Sequence, residues 1–405
     1  MAADYDLIIL GGGCAGLSLA TNLAAHGSRG PRVLIVEART QYANDRTWCF
    51  WEPASTALAP LVSHSWQHFA VGAGGRRVVG DCGDTPYQMI PAQRFYADAL
   101  GRLAAAGNVD LALGSWVVGE PRKKGGIWAV ETIVGRHSAR MIVDTRPRRD
   151  PGAGDVALWQ SFYGQEIECD APVFSPSCVE LMDFAERDES RIQFTYVLPL
   201  STRRGLVELT VFGPRPLVPR ELGHELEMAI ERQTGGQTFR VTRSEHGILP
   251  MGARLARPHP DPSYVRAGLT SGGARPSSGY AFQRIQRWAG ECARRIAEGK
   301  LPAGHAPDPP LMRALDSLFV SVLRANPAAG PSIFLSLFEK ADTSRIIRFM
   351  SDRGTVADCA IVAAALPPLP FLREIPRALL ASRTLRGRVV NKTAEVALRV
   401  EKWKA

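Results

Sequence analysis

The sequence predicts an α/β fold in three parts: a Rossmann-like nucleotide-binding domain, an inserted domain of mostly antiparallel sheet, and a helical C-terminal region. Three observations predict it. Residues 4–37 read as strand, glycine turn, helix, strand and acid, in that order. A second strand, glycine loop and helix stand far along the chain, at 264–298. Between the two, residues 151–244 are dominated by strand-like runs.

Leu7 to Leu10 form a short apolar run, as expected of a parallel strand buried on both faces. Gly11, Gly13 and Gly16 follow at the G-x-G-x-x-G spacing, with Cys14 and Ala15 inside the turn. Leu17 to His26 reads as a helix that Gly27 stops, and 32–36 as a second strand. Gly11 permits a tight turn, Gly13 lets backbone approach a pyrophosphate, and Gly16 lets helix and strand pack closely. The helix N-terminus offers N–H groups and a positive dipole end to phosphate. Glu37, 21 residues after Gly16, is placed to accept both ribose hydroxyls. Together these features predict a bound dinucleotide.

Asp45-Arg-Thr-Trp-Cys-Phe-Trp-Glu52 sets Trp48, Phe50 and Trp51 directly after the ribose-binding acid, which brings them and Arg46 near the cofactor. Strand-like stretches at 65–71, 77–79 and 87–90 lead to an amphipathic helix at 91–106. Strands at 109–113, 127–132 and 140–144 return to the nucleotide domain, and Asp144, at a strand end, meets the cofactor again. The inserted strands are 158–163, 165–168, 192–198 and 205–212, followed by a helix at 220–233.

Gly247 to Met251 leads into a strand at 264–268, a loop at 269–280 and a long helix at 282–298. Gly272, Gly273 and Gly279 allow close backbone approach to a ligand. Two glycine loops so far apart suit a long cofactor with two ends, FAD rather than NAD, in a domain of the glutathione-reductase type. The nucleotide domain is therefore expected over 1–150 and 245–300, and the sheet domain over 151–244 with part of 53–90. The helical region is expected over 301–405. Its apolar helices, at 311–323, 331–340, 343–350 and 355–365, cover a lipophilic tunnel, touch a bilayer or only complete the core. The basic stretch 377–405 reads as a solvated helix or a membrane-surface contact.

An apolar fraction of 45% and a mean hydropathy of −0.08 are those of an ordinary globular protein. No apolar run approaches the roughly 18 residues of a transmembrane helix. A first strand at residue 5 leaves no room for a signal peptide. Seven cysteines without a C-x-x-C pair predict free thiols in a reducing cytoplasm. His64 and His68 lack both the glutamate of H-E-x-x-H and a third ligand, so no metal is expected. The net charge of +9 favours anionic partners. With no zinc finger, basic zipper or RNP-like signature, a membrane surface ranks above nucleic acid. The expected location is cytoplasmic, peripheral on the inner face of the cell membrane, with no obligatory protein partner.

Nearly end to end, the chain resembles the bacterial lycopene β-cyclases, FAD-dependent carotenoid cyclases related to the plant β- and ε-cyclases. The resemblance rests on the Gly11–Gly16 turn, Asp45 to Trp51, Trp159 to Glu166, Tyr196 to Ser201, Gly247 to Met251, Gly272 to Phe282 and Leu366 to Phe371. It implies a redox-neutral cyclisation of the ψ end groups of lycopene, or of a related acyclic carotene, to β-ionone rings. Such an enzyme is an isomerase (intramolecular lyase) of carotenoid biosynthesis that needs its FAD reduced, with NADPH as reductant. A carbocation in an apolar tunnel needs electron density nearby, which reduced flavin supplies. The acid must stay protonated, which burial achieves.

The family's acid lies in a Leu-Ile-Glu-Asp-Thr-like segment, matched here by Leu206-Val-Glu-Leu-Thr210, so the resemblance implies Glu208 as the acid. The second acidic position is Leu209; on an alternating strand the two point to opposite faces, which leaves Glu208 to act alone. Asp144-Thr-Arg stands where the family carries Asp-Gly-Arg, and Ser278 where many members have threonine. Trp48 and Tyr280 are the expected substrate contacts. Two other readings stay open: an FAD-dependent hydroxylase or reductase of isoprenoids, and a carotenoid-binding relative without activity.

Overall fold

The structure is a computed structural model that describes residues 3–147, 156–185, 189–253 and 258–375. The basic stretch expected at 377–405 lies outside the described residues.

The first part of the chain carries β1 (Tyr5–Leu10), α1 (Cys14–Ala24), β2 (Val33–Val36), β3 (Thr47–Trp51), β4 (His64–Trp66), β5 (His68–Ala73) and β6 (Arg76–Asp81). It continues through β7 (Tyr87–Pro91), α2 (Ala92–Ala106), β8 (Val109–Ala112), β9 (Arg122–Lys124), β10 (Ile127–Thr132) and β11 (Gly135–Asp144). The middle carries β12 (Leu158–Cys169), β13 (Cys178–Phe184), β14 (Ile192–Pro199), β15 (Arg204–Gly213), α3 (Pro219–Thr234) and β16 (Phe239–Met251). Then come β17 (Tyr264–Arg266), α4 (Phe282–Ala297), α5 (Pro310–Ala325), α6 (Gly330–Lys340), α7 (Thr343–Met350), α8 (Val356–Ala365) and α9 (Pro368–Ile375).

The apolar runs make the nucleotide-binding sheet, ordered β8-β2-β1-β11, with β17 also on β11 and all these pairs parallel. β10 and β9 add an antiparallel edge. Leu7 to Leu10 are fully buried because both faces of this sheet are covered: α1 and α4 pack on Leu7 and Ile9, and Trp128, Val130 and Tyr264 join Ile8 and Leu10 on the other side. Each such side chain contributes about 1.5–3 kcal/mol. α1 begins at Cys14, earlier than the expected Leu17, with Gly13 as its extended N-cap. Cys14, Ala15 and Gly16 therefore hold the first helical N–H groups, which have no partner inside a helix.

The inserted sheet is ordered β16-β12-β15-β14-β13-β5-β6, antiparallel except where β13 meets β5. Three expectations are corrected here. The runs at 158–163 and 165–168 form one strand, because Gly164 stays in the ladder and pairs with Glu208 on one side and Glu245 on the other. β13 has no clean alternation in sequence and was not expected. β16 is a largely exposed edge strand with a polar first half, so it shows no apolar run, yet it pairs with β12 along its length. The sheet thus extends to Met251, and the boundary expected at 245 falls inside a strand.

Along β15, Val207, Leu209 and Val211 face a core under α3, and Glu208, Thr210 and Phe212 face the other way. α5, α6 and α8 pack over that second face with aromatics such as Phe334 and Phe338. No single helix among the described residues is long and apolar enough to cross a membrane, and α5 and α6 meet at 110°.

Candidate active site

One cavity of about 1320 Å³ runs from the Gly11 turn, past the inserted sheet, to the C-terminal helices. Its two ends differ in chemistry.

The polar end is lined by Gly11, Gly13, Cys14, Ala15 and Glu37. Gly11 has φ +94, and a Cβ on Gly16 would lie 1.9 Å from the Gly11 carbonyl oxygen, so both positions require glycine. Gly16 itself packs strand against helix and is not on the wall. A Cβ on Gly13 would meet nothing nearer than Arg39 at 4.0 Å, which leaves its backbone open to the cavity. Glu37 accepts hydrogen bonds from the Gly12 N–H at 2.6 Å and the Arg39 N–H at 2.8 Å. Burial pushes its pKa up, but the bonds from Arg39 and Gly12 outweigh that and hold the carboxyl below its ordinary value. Open glycines, orphan helix N–H groups and an ionised acid fit the phosphates and ribose of a dinucleotide.

Arg39, not foreseen, donates to the Gly12 carbonyl and to Tyr96 Oη and stacks over Tyr42 at 4.8 Å. A cation two residues after the ribose acid was the available signal. Arg46 lines the cavity with half its side chain exposed and pairs with Asp45 at 3.0 Å. Asp144 also lines it, but its oxygens accept from Arg146 Nε and Nη2, each at 2.8 Å, and from Tyr264 Oη at 2.7 Å. Its role is to fix Arg146, the arginine of the Asp144-Thr-Arg segment, which lines the cavity wall. Thr145 has its own use: its hydroxyl donates to the carbonyls of Leu10 and Gly11 and pins the glycine turn.

The second glycine loop divides. Gly279, at φ +72, lines the cavity. Gly272 and Gly273 do not, which corrects their expected contact with cofactor. Gly272 turns the chain at φ +98, and a Cβ on Gly273 would lie 2.6 Å from the Gly268 carbonyl oxygen. They fold the loop onto itself, and Gly268 packs close to Ala15 of α1.

Between the ends stand the aromatics of β3. Trp48 lines the cavity and stacks on Phe282 at 5.4 Å, whereas Phe50 and Trp51 are core. Tyr87 Oη lies 3.0 Å from Tyr196 Oη and 3.2 Å from Tyr280 Oη, a buried knot that carries Tyr280 on the wall.

β16, β12, β15 and β14 present one register row to this space: Glu245, Gly164, Glu208 and Tyr196. Glu208 is 9% exposed, on a central strand and not an edge. It accepts a hydrogen bond from Thr210 Oγ1 at 3.1 Å. Burial, then the neighbouring Glu245 carboxylate, push its pKa well above the ordinary carboxyl range. Leu209 lies in the core beneath α3, so an acid there would not reach the cavity. Glu245 was missed because its sequence neighbours gave no strand signal. One row further along, Phe162, Thr210 and Phe194 begin the apolar end, which Phe319, Phe334, Phe338 and Phe371 complete. The site can offer a neutral carboxylic acid to an apolar molecule, next to a dinucleotide.

Known proteins place this architecture. A lycopene beta cyclase from Synechococcus elongatus is 25% identical over 312 residues, covering 73% of this chain and 72% of that protein. A geranylgeranyl bacteriochlorophyll reductase-like protein from Thermoplasma acidophilum has the same fold, with a TM-score of 0.61 and 13% identity over 92% of this chain and 98% of that one. So does the flavin-dependent monooxygenase PieE in complex with FAD and substrate, with a TM-score of 0.57 and 14% identity over 90% of this chain and 72% of that one. The family model described as lycopene cyclase protein matches residues 6–375. The chain belongs to the lycopene cyclase family.

Proposed function

We propose that the protein is a lycopene β-cyclase that binds FAD along the polar end of the cavity and one end of an acyclic carotene in the apolar end. The observation that carries this reading is Glu208, a buried acid at the junction of the two, whose pKa burial and the Glu245 carboxylate push well above the ordinary carboxyl range. The Gly11–Gly13 turn, the α1 N-terminus, Glu37, Arg46 and Arg146 would hold the dinucleotide. When bound and reduced, by NADPH in the cell, FAD supplies electron density that stabilises a cation.

Glu208 donates its proton to the terminal double bond of the ψ end group. The resulting tertiary cation is attacked by the neighbouring alkene, which forms the ring bond, and a ring proton then leaves to a base. One proton enters and one departs, so the substrate is neither oxidised nor reduced. Phe162, Phe194 and Phe212 exclude water that would trap the cation. Exposed Leu369, Leu372 and Ile375 share α9 with the cavity-lining Phe371, which with the +9 charge supports peripheral contact with the inner membrane surface that holds the carotene.

Anaerobic incubation with lycopene liposomes and dithionite-reduced FAD tests the reading. β-Ring products without stoichiometric NADPH oxidation are expected. Unchanged lycopene would overturn it; bound but uncyclised lycopene would favour a carrier, and NADPH consumed in proportion to product an oxidoreductase.

Gly164 provides a second prediction. A Cβ there would lie 3.0 Å from Glu208 Cβ and 3.3 Å from its Cγ, so Gly164→Ala must displace the acid. FAD affinity is expected to hold while turnover falls by about tenfold or more, since misplacing a reacting group by about 1 Å can lose a hundredfold. Wild-type turnover in this variant would refute the placement.

A further inference from the structure

Glu245 is a second carboxylate in the same row. Gly164 on β12 pairs with Glu208 of β15 on one side and with Glu245 of β16 on the other, and both acids line the cavity. Both are more than nine-tenths buried. Their partners differ. Glu245 accepts from Thr47 Oγ1 at 2.7 Å and is ion-paired with Arg243. Arg243 also reaches Glu166 at 3.2 Å, and Glu166 is paired with Arg204. Two guanidinium groups and two carboxylates thus balance, and among the described residues Glu208 has the Thr210 hydroxyl as its one side-chain hydrogen-bond partner.

The other titratable groups that face Glu208 leave this balance unchanged. Tyr196 of β14 and the Tyr87 and Tyr280 knot are raised by burial, as is Cys49 of β3, pushed up to about 12, so all stay neutral. The Arg46 charge favours the ionised form of Glu245. Burial raises both acids; at Glu245 the Arg243 guanidinium and the Thr47 hydroxyl offset part of that rise, whereas Glu208 is raised well above the ordinary carboxyl range, so Glu208 is the member of the pair that holds its proton more tightly.

We infer that Glu245 is a positioning residue for the acid: held ionised by Arg243 and Thr47, it faces Glu208 across Gly164 as a like charge and keeps the proton on Glu208 until substrate takes it. The inference rests on Glu208 being the acid. Activity needs Glu208 protonated, so it is full below the Glu208 pKa and lost as pH rises through it. Removing the negative neighbour lowers that pKa and moves the alkaline limb to lower pH.

The experiment is the pH profile of kcat for the wild type, Glu245→Gln, Glu245→Asp and Glu208→Gln, with reduced FAD and lycopene liposomes. Glu245→Gln should shift the alkaline limb down by about one pH unit, with FAD affinity unchanged. Glu245→Asp, which keeps the charge, should restore the limb. An unshifted limb in Glu245→Gln overturns the inference while leaving the acid assignment intact. Activity in Glu208→Gln overturns the assignment itself, and the inference with it. If Glu245→Gln fails to fold, infrared spectroscopy of the wild type decides: a protonated-carboxyl band at neutral pH, absent from Glu208→Gln, is required, and its absence overturns the inference.

Discussion

Glu208→Gln is expected to lower cyclisation by about 10²–10⁴-fold, the range for losing a general acid. The amide keeps the shape of the side chain and can still bond Thr210 Oγ1, so the cavity should stay intact. What is lost is the only donor in the row poised to release a proton at neutral pH, since the Tyr196 hydroxyl is pushed up by burial and Glu245 is tied to Arg243. FAD binding should not change, because Glu208 stands on β15 at the junction of the two ends and not in the Gly11 turn. The check is turnover with reduced FAD, alongside flavin fluorescence titration. Turnover within a few fold of wild type would mean that the proton comes from elsewhere.

The second large effect is on stability. Arg275, in the loop before α4, is 1% exposed and pairs with Asp316 of α5, itself 3% exposed, at 3.2 Å. It also donates to the Phe349 carbonyl at the end of α7 and lies over the Phe349 ring at 4.1 Å. Ser277 Oγ donates to Asp316 at 2.8 Å. One buried guanidinium therefore ties the second glycine loop to two helices of the C-terminal region. Asp316→Ala should destabilise by about 3–5 kcal/mol, because it removes the buried partner of Arg275 and leaves the guanidinium only the more distant Asp352 carboxylate, at 3.8 Å. Denaturant unfolding measures this, and limited proteolysis should cut the 301–375 region first. Arg275→Met combined with Asp316→Leu should recover much of the loss, since apolar replacement of a buried pair is often neutral. A loss below about 1 kcal/mol in the single variant would show that the pair is solvated, as surface pairs are.

Local signals were legible wherever the chain's pattern was strictly periodic. The β1 turn, α2, α3, α4 and the four helices from α5 to α8 were readable from apolar spacing and glycine stops. β13 and β16 were not, because an edge or mixed strand takes its stability from pairing with distant residues and shows no apolar run. The same limit hid part of the site. Arg39, Arg146 and Glu245 are ordinary charged residues in sequence; Arg39 and Glu245 matter through distant partners, Gly12 and Thr47, and Arg146 through Asp144, which the distant Tyr264 helps to hold. Gly272 and Gly273 looked like ligand-approach glycines, but conformational freedom serves a loop packed on itself equally well.

The sequence by itself determined the dinucleotide turn, because Gly11 to Gly16 and Glu37 act through local backbone geometry; Glu208 was singled out only by the resemblance of Leu206–Thr210 to the lycopene cyclases. Only the tertiary structure decided that Glu208 is buried on a central strand, that Leu209 is turned from the cavity, and that Glu245 stands across Gly164. Strand alternation assigns two neighbours to opposite faces, but which face becomes a cavity depends on what packs against it. Here α3 covers one face of the sheet, and the helices from α5 onward enclose the other.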